Sequence, residues 1–103
     1  MTYPKRIVEG KVGVVISPSY GFPLTDPAHP ELNFDPKLVD LVANGLIGDA
    51  IAYLRKKNQD YYYGVKDDMS LQVVWLSVGT KFTIEEYDGS EYIITEEDLH
   101  LTA

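Results

Sequence analysis

Leu71-Gln72-Val73-Val74-Trp75-Leu76, Val78-Gly79-Thr80, Lys81-Phe82-Thr83-Ile84-Glu85-Glu86-Tyr87, Asp88-Gly89 and Ser90-Glu91-Tyr92-Ile93-Ile94 together decide the fold class. Three β-rich runs are separated by turn residues. Asp-Gly between two such runs is a strong hairpin signal, because a type I′ turn needs positive φ at both central positions. A two-residue turn there sets Tyr87 opposite Ser90, Glu86 opposite Glu91 and Ile84 opposite Ile93. Strand alternation then places Phe82, Ile84, Glu86, Glu91 and Ile93 on one face, and Tyr87, Tyr92 and Ile94 on the other. Val78-Gly79-Thr80 reads as a corner between the first two runs, so three consecutive strands are expected to pair antiparallel.

Working outward, Lys11-Val12-Gly13-Val14-Val15-Ile16-Ser17 is a short β-branched run that suits a central strand covered on both faces. The nineteen residues from Ser17 to Asp35 show no periodicity and are punctuated by Pro18, Pro23, Pro27 and Pro30. A loop of that length in a small domain is commonly functional. Its Tyr20, Phe22, Leu24, Leu32 and Phe34 predict that part of it packs. Asp35-Pro36 is a helix entry, with Leu38, Leu41 and Val42 at helical spacing and Asn44-Gly45 as the stop. Ile47, Ala50, Ile51 and Leu54 mark a second helix that Arg55-Lys56-Lys57 closes. Asp60-Tyr61-Tyr62-Tyr63-Gly64-Val65 is a short strand or an ordered loop. The order predicts an α+β fold, an antiparallel sheet of four or five strands with two helices packed on one face, in a single domain spanning 1–103.

The chain has 103 residues, 45% of them hydrophobic, and no cysteine, so it offers a sizeable core but no disulfide or zinc–thiolate framework. Its start contains no apolar stretch long enough for a signal peptide or a membrane span, which predicts a soluble protein with no membrane partner. The net charge of −7 is placed unevenly. Residues 1–81 carry nine basic and nine acidic side chains, whereas residues 82–103 carry seven acidic and no basic ones. Such a balance disfavours direct nucleic-acid binding. It serves either as a solvated face or as a surface for a basic partner, including one that itself binds nucleic acid.

Two candidate sites follow. At the hairpin tip, Glu86 and Glu91 face each other, which opposes pairing. Either the tip projects into water, where screening makes the cost small, or the pair receives an arginine, a lysine or a divalent ion. Tyr87 and Asp88 complete this partner-binding set. No cleft is evident that would separate the pKa values of two carboxylates for glycoside hydrolysis. The second site is the proline-spaced loop. Ser17, Ser19, Gly21 and Thr25 could contact phosphate or ribose oxygens, Tyr20 or Phe22 could stack a base, and Arg55 could pair with phosphate. As the plainer alternative, the loop covers a sheet edge and its aromatics are packing plugs.

The helix start at Pro36 is a further anion site, and Lys5-Arg6-Lys11 and Arg55-Lys56-Lys57 are basic clusters. The Tyr61–Tyr63 run hints at an interface. No phosphate-loop signature, serine elbow or metal-ligand spacing is present, and His29 and His100 stand alone, so neither catalysis, a metal nor a cofactor is expected.

Lys11–Ser17 with Tyr20-Gly21 after it, Phe34-Asp35-Pro36 with Leu38-Val39, and the run from Val74 to Glu91 resemble a set of short, mostly uncharacterised accessory proteins of tailed bacteriophages. The resemblance spans about residue 11 to 94. In those proteins Tyr20-Gly21 is followed by small and tryptophan-containing residues. Here Phe22-Pro23-Leu24-Thr25 stands instead, so ligand specificity does not carry over. The resemblance implies no catalytic residues, and action in the bacterial host cytoplasm by binding a host factor. Together these readings lead us to expect a non-catalytic protein that counters antiviral defence by sequestering a small nucleotide-derived signal, as a homo-oligomer whose subunit interfaces build the pocket. The alternative is an acidic inhibitor that occupies a basic nucleic-acid-binding surface of a host protein.

Overall fold

In a computed structural model of the chain, the structure describes residues 4–18, 31–57, 70–87, 90–95 and 101–103. These residues form an α+β fold with strands β1 (Ile7–Val8), β2 (Lys11–Ile16), β3 (Gln72–Ser77), β4 (Lys81–Tyr87), β5 (Ser90–Thr95) and β6 (Leu101–Thr102), and helices α1 (Glu31–Phe34), α2 (Pro36–Ala43) and α3 (Ile47–Lys57). The strands make two antiparallel three-stranded sheets, ordered β1-β2-β3 and β5-β4-β6. The expectation of one four- or five-stranded sheet with two helices is corrected accordingly.

The difference arises at Val78-Gly79-Thr80. β3 pairs with β2, with Val14 opposite Val74, while β4 pairs with β5 and β6. The corner is therefore a turn from one sheet to the other. Thr80 N–H donates to the Ser77 carbonyl at 3.0 Å, closing the turn, and Gly79 adopts a φ of 92° that a side chain would resist. The turn's outward amides have partners elsewhere: Val78 N–H donates to Gly10 and Gly79 N–H to Ala103, at 3.0 and 2.7 Å. Residues distant in sequence thus satisfy a backbone that a β3–β4 hairpin would have paired.

β2 is the central, doubly covered strand that its composition predicts. Val12, Val14 and Ile16 point to the second sheet, into a core shared with Phe34, Phe82 and Ala103. Val15 points the other way, among Leu32, Leu38, Val39, Val42, Ala50, Ile51, Leu54 and Leu71. The layers are helices, first sheet and second sheet. Gly13 sits where α2 crosses: a Cβ there would lie 2.6 Å from a Val39 methyl and 3.1 Å from the Trp75 ring. Glycine is what lets helix and sheet approach so closely.

The helix ends follow their chemistry. Asp35 caps α2, its Oδ1 accepting from the amides of Lys37 and Leu38 at 3.0 and 3.2 Å. Its Oδ2 accepts from the Tyr53 hydroxyl at 2.8 Å, tying α2 to α3. At the other end Gly45 has a φ of 76°, and the amides of Gly45 and Leu46 donate back to Val42 and Leu41. The Ser17–Asp35 stretch, expected to lack regular structure, contains the single turn α1, whose Leu32 and Phe34 are buried. The Asn33 side-chain Nδ2 donates to the Val15 carbonyl at 2.8 Å, covering the edge of β2 that the two-residue β1 leaves open. The Asp60–Val65 segment lies outside the described residues. Among the described residues no helix is long and apolar enough to cross a membrane.

Replacing Gly13 with alanine should destabilise the protein by about 1–3 kcal/mol, the usual cost of overpacking a filled core. Urea unfolding of the two proteins checks it; equal midpoints would mean that Val39 moves aside freely.

Candidate functional site

The β4–β5 register is the one that the Asp88-Gly89 turn predicts: Tyr87 faces Ser90, Glu86 faces Glu91, Glu85 faces Tyr92 and Ile84 faces Ile93. Phe82 is buried and Ile84 and Ile93 pack with it, so this face looks into the molecule. Glu91 belongs to the same face and is only 2% exposed. The hairpin end does not carry it into water. Instead β5 meets the end of β2: the Ser17 amide donates to Glu91 Oε1 at 2.7 Å, and the Glu91 amide donates to the Ser17 carbonyl at 2.9 Å. Ser90 Oγ adds a bond to the Pro18 carbonyl at 2.7 Å.

This arrangement assigns Glu91 a role that the pairing argument missed. A backbone amide at the open edge of a buried strand needs an acceptor, and an unsatisfied one costs about 1–3 kcal/mol. The Glu91 carboxylate supplies it. A residue so occupied cannot also take up an incoming cation, so Glu91 leaves the partner-binding set. Asp88 and the Glu86 side chain lie outside the described residues. Tyr87, the remaining member, is on the opposite face and 69% exposed.

That opposite face carries Glu85. Glu85 is exposed between Tyr87 and the cross-strand Tyr92, which is 47% exposed. The nearest pair inward, Thr83 and Ile94, is half-buried. Arg6 pairs with Asp40 at 2.9 Å, and no ion pair is formed by Glu85 among the described residues. Sequence reasoning put Tyr87 and Tyr92 on this face and could have put Glu85 there by the same alternation.

The loop site is mostly beyond view. Ser19, Tyr20, Gly21, Phe22 and Thr25 lie outside the described residues, as do Tyr61–Tyr63, His29 and His100. Ser17 is fully buried, its backbone held by Glu91 and its hydroxyl without a hydrogen-bond partner among the described residues. Arg55 is exposed on the last turn of α3. Of the N-terminal basic cluster, Lys5 donates to the Thr102 carbonyl at 2.8 Å and lies over the Phe34 ring, while Arg6 pairs with Asp40. Neither stands ready for a phosphate. Among the described residues no group of acidic, histidine or cysteine side chains could hold a metal ion.

No protein-family model, curated protein or solved structure matches this chain.

Glu91→Ala should cost about 1–3 kcal/mol, because the Ser17 amide is left buried without an acceptor. Glu91→Gln keeps an amide oxygen for that bond and should cost clearly less. Thermal denaturation of both variants distinguishes this role from that of a surface charge, for which alanine and glutamine would behave alike.

Proposed function

We propose that the protein acts without catalysis, by docking the outer face of β4–β5 onto a basic surface of another protein. The observation that carries this reading is the exposure of Tyr92 across from Glu85 and of Tyr87 two residues along, in the run 82–103 that lacks lysine and arginine; Lys81, on the same face of β4, donates to Thr102 Oγ1 at 2.8 Å. Tyrosine is enriched in interfaces because it offers a large rigid contact area with a polar tip. Uncompensated acidity next to it raises the encounter rate with cationic surfaces and selects against anionic ones. The phage resemblance supplies the biological setting: a host nucleoprotein whose nucleic-acid-binding surface is occupied by an acidic competitor. A single copy suffices for such a role.

The nucleotide-capture reading rests on Ser17, Ser19, Tyr20, Gly21, Phe22, Thr25 and Arg55, of which only Ser17 and Arg55 are among the described residues. The Ser17 backbone and the Ser90 hydroxyl are already engaged in joining β5 to the loop's first residues.

The test is a capture from bacterial extract with the purified protein as bait, followed by competition against duplex DNA for the captured protein. A basic nucleic-acid-binding protein should be retained, be released by moderately raised salt, and give up its DNA when the bait occupies its surface. Glu85→Lys combined with Tyr87→Ala should abolish capture while leaving the melting temperature near that of the parent. Retention that survives both the salt and the double substitution would overturn the proposal. So would a thermal shift with nucleotide messengers in the absence of any protein partner.

A further inference from the structure

The geometry of the outer face points to something more specific than basicity: we infer that the Glu85–Tyr92–Tyr87 triangle is an arginine-selective cradle. The inference rests on the reading of this face as a partner site and names the side chain that it takes. In the antiparallel register Glu85 lies directly across from Tyr92, which brings their Cβ atoms to roughly 5 Å. Tyr87 follows Glu85 by two residues on the same face, about 7 Å along the strand. Glu85 thus has one exposed tyrosine across the strand pair and a second along its own strand, and the half-buried Thr83–Ile94 pair borders the inner side.

A guanidinium matches this arrangement in two ways at once. Its planar face stacks on a tyrosine ring, where the quadrupole attracts the cation, while its N–H edge donates to the carboxylate in two parallel bonds. An ammonium satisfies the charge only. It is compact and strongly hydrated, and it has no flat face to lay on a ring. Glu85 has no cation of its own among the described residues, so an arriving arginine displaces none of them. Residues 82–103 contain neither lysine nor arginine, and Lys81, four residues before Glu85 on the same face, is bonded to Thr102 Oγ1 at 2.8 Å. The occupant is an arginine-bearing segment of a partner protein, which is the side chain that nucleic-acid-binding surfaces favour for phosphate.

The experiment measures binding of capped octaarginine and octalysine peptides of equal charge to the intact protein, by fluorescence anisotropy at low and at physiological salt. The arginine peptide should bind roughly fivefold tighter or more at both. Tyr92→Leu should bring the two affinities together by weakening the arginine peptide alone, whereas Tyr92→Phe, which keeps the ring, should preserve the preference. Glu85→Gln should weaken both peptides. Equal affinities for the two peptides in the parent protein would overturn arginine selection and leave the acidic face standing. Binding of neither would overturn both. A preference unchanged by Tyr92→Leu, or a peptide-free dimer that buries Tyr87 and Tyr92, would also overturn the cradle.

Discussion

The junction of Glu91 with Ser17 is the constraint from which the rest of the structure follows. It joins Ser17, the buried residue that follows β2, to β5, an edge strand of the other sheet, through one backbone bond and one carboxylate bond. Between the sheets lie the apolar contacts of Val12, Val14 and Ile16 with Phe82 and its neighbours, which set a distance but no direction, while the bonds of Gly79 to Ala103 and of Lys5 to Thr102 hold the β6 end. Hydrogen bonds are directional, and these two fix where β5 lies along the end of β2. Because strand residues alternate, committing Glu91 to the interior also commits Glu85, Tyr87 and Tyr92 to the exterior. A buried acid determines which acid is available.

The same junction links the structural and functional halves of the molecule. Ser17 and Pro18 open the proline-spaced loop, and both are held by β5, through Glu91 and Ser90. The expected ligand site and the expected partner site are therefore neighbours along one strand. They differ in what is left open. On the inner side the polar groups of Ser17 and Glu91 are enclosed; on the outer side two phenols and a carboxylate face solvent. Association through the outer side asks for no rearrangement of the core.

Much of the local structure was legible in the residues, because it rests on short-range chemistry. Asp35-Pro36 and Asn44-Gly45 mark the ends of α2 through capping and positive φ, and Ile47, Ala50, Ile51 and Leu54 are the buried side of α3. The β4–β5 register followed from turn length alone. What escaped was decided at long range. Val78-Gly79-Thr80 has the composition of a hairpin link, and only its bonds to Gly10 and Ala103 turn it into a corner between sheets. The turn between β1 and β2 places Glu9 and Gly10 at positive φ, and glutamate there carries none of the asparagine or aspartate signal that flags such turns. β1 and β6 are two residues each, too short for any period to show.

The candidate site was half legible for the same reason. Charge placement and strand alternation located an acidic hairpin with tyrosines on one face. They could not show that Glu91 answers an amide seventy-four positions away. Amide hydrogen exchange under native conditions tests that claim most directly. The Ser17 and Glu91 amides should exchange only through the opening that exposes Val14 in the middle of β2, with the same free energy. Exchange at Ser17 and Glu91 that is orders of magnitude faster than at Val14 would contradict it, because the two sheets would then be separating there while β2 remains folded.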